Sequence, residues 1–184
     1  MKQTIHTVTY EISQVLTNIS EDQAMQLSRS LMRAKQIFVA GEGRSGLMGK
    51  AFAMRLMHAG YHVYVTGETI TPNIQEDDLL IAISGSGSTD SICQFAKKAK
   101  EQGAKVTAVT TDVNSNLADM SDEMLIIPAA TKKRREEEPT TIQPLGNQFD
   151  QSLHLLLDAI IIYTIEQAKK TDNEEMTKRH ANLE

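Results

Sequence analysis

The sequence predicts an α/β protein, a three-layer α/β/α sandwich built on a five-stranded parallel sheet. Three observations predict it. Strand-like runs alternate with helix-patterned runs along the chain. The strand runs are almost continuously apolar, as in Ile37-Phe38-Val39-Ala40 and Leu79-Leu80-Ile81-Ala82-Ile83, which suits a sheet covered on both faces. Two of these runs lead straight into Gly/Ser loops, Gly41-Glu42-Gly43-Arg44-Ser45-Gly46 and Ser84-Gly85-Ser86-Gly87-Ser88-Thr89, and each loop opens a helical pattern.

Residues 4–34 read as two helices. Ser20 and Gln23 have the spacing of a capping box, and Met25, Leu27, Leu31 and Met32 form a helical stripe. The first strand covers 36–40. A helix over 45–59 follows, with Leu47, Ala51, Met54 and Met57 at helical spacing and Gly60 as its stop. The second strand is 62–66. The third is 79–83, entered from the polar turn Gln75-Glu76-Asp77-Asp78. A helix over 89–102 stops at Gly103, and the fourth strand is 105–110. A short helix near Asn116 leads to the fifth strand, 123–127, closed by Pro128. Residues 145–169 form a long apolar helix followed by a charged tail. The expected strand order is the doubly wound, flavodoxin-like 2-1-3-4-5, whose switch point lies between strands one and three. Those are the strands that carry the two loops, so both loops should open on one crevice at the carboxyl ends of the strands.

The 184 residues suffice for one domain with a sizeable core, organised as N-terminal helices (1–34), sheet core (35–130) and C-terminal helix and tail (145–184). A net charge of −5 gives no footprint for nucleic acid. No apolar stretch is long enough for a bilayer, and residues 1–10 lack the apolar block of a signal peptide. The lone Cys93 has no partner for an internal disulfide and is expected on a helix face as a small hydrophobe. Together these favour a cytoplasmic protein. The run Lys132-Lys133-Arg134-Arg135 is followed by Glu136-Glu137-Glu138, and it reads as a solvated, self-compensating loop.

A helix N-terminus offers unpaired N–H groups and a partial positive charge, glycine permits close backbone approach, and hydroxyls add donors. Two such loops on one sheet point to a phosphate-bearing small molecule, with Arg44 as the one cation fixed in the crevice. Gly41-x-Gly43-x-x-Gly46 also fits the dinucleotide fingerprint, with Glu68 as a ribose acceptor. Helices preceding the first strand, the short chain and the second Ser-rich loop count against that reading. The histidines at 6, 58, 62, 154 and 180 have no ligand spacing with the cysteine, so neither metal nor other cofactor is expected. The apolar residues Leu153, Leu155, Leu156, Leu157, Ile160, Ile161 and Ile162 cover more than one helix face, which predicts burial between subunits.

Several segments resemble the sugar isomerase (SIS) domain family, and within it the 6-phospho-3-hexuloisomerases. They are Gly43-Arg44-Ser45-Gly46, Phe52-Ala53-Met54-Arg55-Leu56-Met57-His58, Gly67-Glu68-Thr69 with Thr71-Pro72, and Ser84-Gly85-Ser86-Gly87. Gln143-Pro144-Leu145-Gly146 with Phe149, and His180-Ala181-Asn182-Leu183-Glu184, complete the set. The resemblance spans nearly the whole chain. It implies a metal-independent isomerase that interconverts 3-hexulose 6-phosphate and fructose 6-phosphate through an enediol. It further implies a homo-oligomer, tetramer or dimer, coupled to the synthase that condenses formaldehyde with ribulose 5-phosphate. It places the phosphate on Ser84, Ser86 and Thr89 with N–H groups of Gly87 and Ser88; Gly43 flanks the site, Ser45 completes the cradle or holds a sugar hydroxyl, and Arg44 contacts the phosphate or an oxyanion. Asp150 is the expected base, where family members generally carry glutamate. Ser88 stands where many SIS enzymes have glutamate, so that position is not expected to supply the base. His180 is the second catalytic candidate, carried by the tail into a neighbouring subunit's crevice. His58 and His154 are expected in packing roles. Another SIS-type isomerase, acting on arabinose 5-phosphate or a heptulose phosphate, and a non-catalytic sugar-phosphate sensor are the alternatives.

Overall fold

A computed structural model describes residues 1–169 and 171–183, so Glu184 of the terminal segment lies outside the described residues. The chain runs α1 (Lys2–Thr17), α2 (Glu21–Arg33), β1 (Ile37–Gly41), α3 (Gly43–His58), β2 (Val63–Val65), β3 (Leu79–Ile83), α4 (Asp90–Glu101), β4 (Lys105–Thr110), α5 (Asn116–Asp119), β5 (Glu123–Ile126), α6 (Asn147–Ala168) and α7 (Asn173–Lys178). The strands form one parallel sheet in the order β2-β1-β3-β4-β5. The expected order is therefore the observed one.

Alternation along the strands divides the core between the two faces. Ile37 and Val39 of β1, with Leu79, Ile81 and Ile83 of β3, face α1, α2, α3 and α6. Phe38, Ala40, Leu80 and Ala82 face α4 and α5. Ala40, Ala82 and Ala108 stand in register across β1, β3 and β4, a row of small side chains on which α4 lies with Ala96 and Ala99. Cys93 packs half-buried in this layer, as expected.

The Ser20 hydroxyl accepts the Gln23 N–H and caps α2. The reciprocal half of a capping box is missing, because the Gln23 side chain accepts from the Ile126 N–H and ties α2 to β5. In α3 the buried stripe is Phe52, Ala53 and Leu56, whereas Leu47, Met54 and Met57 are exposed. The apolar excess of α6 is mostly absorbed within the chain. Leu153, Leu156, Leu157, Ile160 and Ile161 are buried against α1, α2 and α3, leaving Leu155 and Ile162 outside. The short α7 was not anticipated. No helix among the described residues is long and apolar enough to cross a membrane.

Candidate active site

The N-termini of α3, α4 and α6 meet at the carboxyl end of the sheet around a crevice of about 240 Å³. α2, α5 and α7 are closed by their own side-chain caps, Ser20, Ser115 and Asp172. The three helices at the crevice have none: Glu42, Thr89 and Gly146 occupy the cap positions without a side-chain hydrogen bond. Apart from the Asn147 N–H of α6, which donates to the Pro144 carbonyl, their first N–H groups have no side-chain cap, and three positive helix ends point at one space. Arg44, Ser45, Ser84, Ser86, Thr89 and Asp150 line this crevice.

The second loop is shaped by Gly87. It has φ +60°, and an added Cβ would fall 2.1 Å from the Ser115 hydroxyl. Its N–H donates to the Ser84 carbonyl and its carbonyl accepts the Leu117 N–H, so this N–H is used inside the loop, away from the crevice lining. Ser84 is buried, its hydroxyl 2.8 Å from that of Thr89. Ser88 turns outward, where its hydroxyl donates to Ser86 and receives the Lys133 ammonium at 3.4 Å. Gly43, Gly87 and Ser88 shape or flank the crevice without lining it.

Asp150 stands in the first turn of α6 and is 5% exposed. One carboxylate oxygen accepts the Ser45 hydroxyl at 2.9 Å, and the other lies 3.4 Å from Arg44 Nε. Burial raises its pKa above the ordinary aspartate value, against the opposing pull of the Ser45 hydrogen bond and the Arg44 charge. Arg44 is thus paired with Asp150 while lining the crevice. Glu68 pairs with Lys50 and Glu42 accepts the Ser91 hydroxyl.

His180 lies elsewhere. Its ring stacks on that of buried His58, centroids 5.2 Å apart and planes 20° from parallel. That is the opposite end of α3, about 22 Å along the helix axis from its N-terminus. Arg179 holds the tail there by donating to the His58 carbonyl and to Thr171. Burial, with the charges of His180 and Arg55, lowers the His58 pKa. His154 is a half-exposed residue of α6, 3.7 Å from Asp158, and has no core packing role.

Among the described residues no group of three or more His, Cys, Asp or Glu is placed to hold a metal ion. Sequence reasoning missed Glu42, Thr131 and Lys132 in the lining. The available signal for Lys132 was position: it lies just past β5, at the sheet end where ligands of such folds sit.

Residues 30–144 match the SIS domain family model. The chain is 43% identical over 166 residues to the 3-hexulose-6-phosphate isomerase of Bacillus subtilis, spanning 90% of this chain and 89% of that one. It is 38% identical over 174 residues to the enzyme of the same name from Mycobacterium gastri, spanning 95% and 86%. A crystal structure from Methanococcus jannaschii, inferred to be a 3-hexulose-6-phosphate isomerase, superposes with a TM-score of 0.85 at 33% identity and covers 98% of this chain and 99% of that one. The family match over residues 30–144 and the identity to these relatives over most of the chain show that the chain belongs to the SIS domain family.

Proposed function

We propose that this chain is a 3-hexulose-6-phosphate isomerase, converting the 3-ketose to fructose 6-phosphate. The observation that carries the reading is Asp150: a buried carboxylate with a raised pKa, facing a cradle of uncapped helix N-termini. The relatives at 38% and 43% identity support the choice of sugar.

The phosphate binds at the start of α4, on the hydroxyls of Ser84, Ser86 and Thr89 and the free N–H groups there. The chain of the open sugar then lies toward Ser45 and Asp150. The Asp150 carboxylate takes the proton from C2. The C2–H electron pair becomes the C2=C3 double bond, and the C3 carbonyl oxygen takes up a proton to give the enediol. Loss of the O2 proton forms the new carbonyl at C2, and C3 receives a proton in return. Ser45 fixes the orientation of the carboxylate, and Arg44 stabilises its ionised form. Release of fructose 6-phosphate from synthase-generated hexulose phosphate, followed with a coupled dehydrogenase, tests the reading. No product at high enzyme concentration would refute it.

The protein works as an oligomer, a tetramer or dimer, in the cytoplasm beside the synthase that makes its substrate. Exposed Leu155 and Ile162 on α6, and exposed Leu47, Met54 and Met57 on α3, support the oligomer. His180, remote from its own chain's crevice, acts in a neighbour's crevice as a second acid–base group. Mixing an Asp150→Asn protein with a His180→Ala protein should then restore activity in hybrid oligomers.

A further inference from the structure

The charge balance of the crevice is wrong for an anionic ligand unless a further cation takes part. Glu42 and Asp150 both line it, and Arg44, the cation beside them, is engaged with Asp150. Asp90 adds a carboxylate to the first turn of α4. A phosphate dianion brought to this space would meet carboxylates with little net positive charge from side chains to offset them.

The segment after β5 supplies the missing charge. Lys132 lines the crevice, and Lys133 reaches the Ser88 hydroxyl on the rim of the second loop. The segment is not a loose charged stretch. The Thr131 N–H and hydroxyl donate to Glu138 at 2.8 and 2.6 Å, and the Lys133 N–H donates to the Thr131 hydroxyl. Arg134 donates to the Gln143 carbonyl, and Arg135 pairs with Asp112 at 2.6 Å; the Asn114 N–H bond, with that pairing, lowers the Asp112 pKa. Four partnered residues thus bracket two lysines, neither of which forms a salt bridge among the described residues, although the charge of Lys133 is felt at Asp112. In the acidic run that follows, Glu138 is held by Thr131, and Glu137 lies 4.0 Å from Arg135.

We infer that Lys132 on the crevice wall, with Lys133 at its rim beside Ser88, forms the cationic side of the phosphate subsite and sets the preference for a monosaccharide carrying a dianionic phosphate. The inference rests on the phosphosugar reading only for the identity of the anion. Lys132 reaches the crevice from the segment after β5, and Lys133 sits at the rim against Ser88 beside the α4 N-cap, so the phosphate would be held by backbone N–H groups and ammonium groups together.

The test uses full-length Lys132→Met, Lys133→Met and double variants, with Lys132→Arg and Lys133→Arg as charge-preserving rescues and Lys97→Met, an exposed lysine of α4, as control. Binding of fructose 6-phosphate and of inorganic phosphate is measured by titration calorimetry, and turnover by the coupled assay. Each methionine variant should weaken both ligands by about tenfold, as expected for one charge-assisted contact. KM should rise in parallel with kcat unchanged, because binding to the phosphate is the same in ground and transition states. The effect should shrink at high salt, arginine should restore most of the affinity, and Lys97→Met should bind as wild type. Unchanged affinity for both ligands in the double variant would overturn the inference while leaving the isomerase reading intact. Normal phosphate binding by wild type without turnover would refute the isomerase, and the lysine effect would still be read on phosphate.

Discussion

Burial holds the Asp150 carboxyl above the ordinary aspartate range, and this has opposite consequences for catalysis and for stability. As a base it must be ionised, so the acidic limb of kcat/KM should lie at higher pH than a free aspartate would give. For stability the folded state binds the Asp150 proton more tightly than the unfolded chain does. That contribution is present below the unfolded pKa and fades as pH rises through the folded one. At neutral pH the ionised carboxylate is therefore a cost. Asp150→Asn keeps an acceptor for Ser45 and loses the pair with Arg44, whose side chain is 58% exposed and adds little. The expected outcome is a loss of turnover of roughly 10² to 10⁴, retained binding of fructose 6-phosphate, and a melting temperature at pH 7 equal to or above wild type. Near-normal turnover would remove Asp150 from the mechanism.

The same opposition governs the loops as elements. The α4 loop exists because Gly87 fits beneath Ser115 in a left-handed conformation, and that contact joins it to α5. Gly87→Ala should cost about 1–3 kcal/mol through overpacking and strain and disturb Ser84, Ser86 and Thr89 together. Denaturant unfolding would show the first effect and a raised KM the second; wild-type values for both would show the loop to be tolerant. Much of this was legible in the chain, because strand, loop and helix follow one another at 37–58 and 79–101 with Gly and Ser at the junctions. What escaped was non-local. Two apolar stripes of helical spacing run along α3, and periodicity cannot say which faces the sheet. Gly49 decides it, since a Cβ there would sit 3.1 Å from Val39 and 3.2 Å from Ile83. Lys132 and Lys133 looked neutralised by the neighbouring glutamates, but their segment is pinned by Asp112 and Gln143, distant in sequence. The α7 segment carries a single apolar residue, Met176, and so no apolar period to betray it; its one signal is Asp172, which caps it.

Across the whole molecule the two ends of the sheet carry carboxylates of opposite character. Beneath the amino end, buried Glu123 accepts from Ser30, Gln26 and Thr107 and pairs with Lys105. Burial alone would raise its pKa, but the bonds from Lys105, Ser30 and Gln26 outweigh it and the net shift is downward. The folded state thus releases this proton more readily than the unfolded chain. Its stabilisation is full above the ordinary glutamate pKa and is lost as pH falls through the lower, folded value. Glu123 ties α2 to β4 and β5 at the end remote from catalysis, where nothing requires a strained or half-satisfied group. Glu123→Gln should therefore lower stability at pH 7 by about 1–3 kcal/mol and leave kcat unchanged. The gap to wild type should narrow as the buffer is taken below pH 4.5, where wild type loses the same interaction by protonation. Asp150→Asn should change with pH in the reverse sense, its advantage over wild type shrinking toward acid. Urea unfolding of both variants across this range checks the pair, and parallel pH curves for wild type and Glu123→Gln would show that this cluster does not govern acid stability.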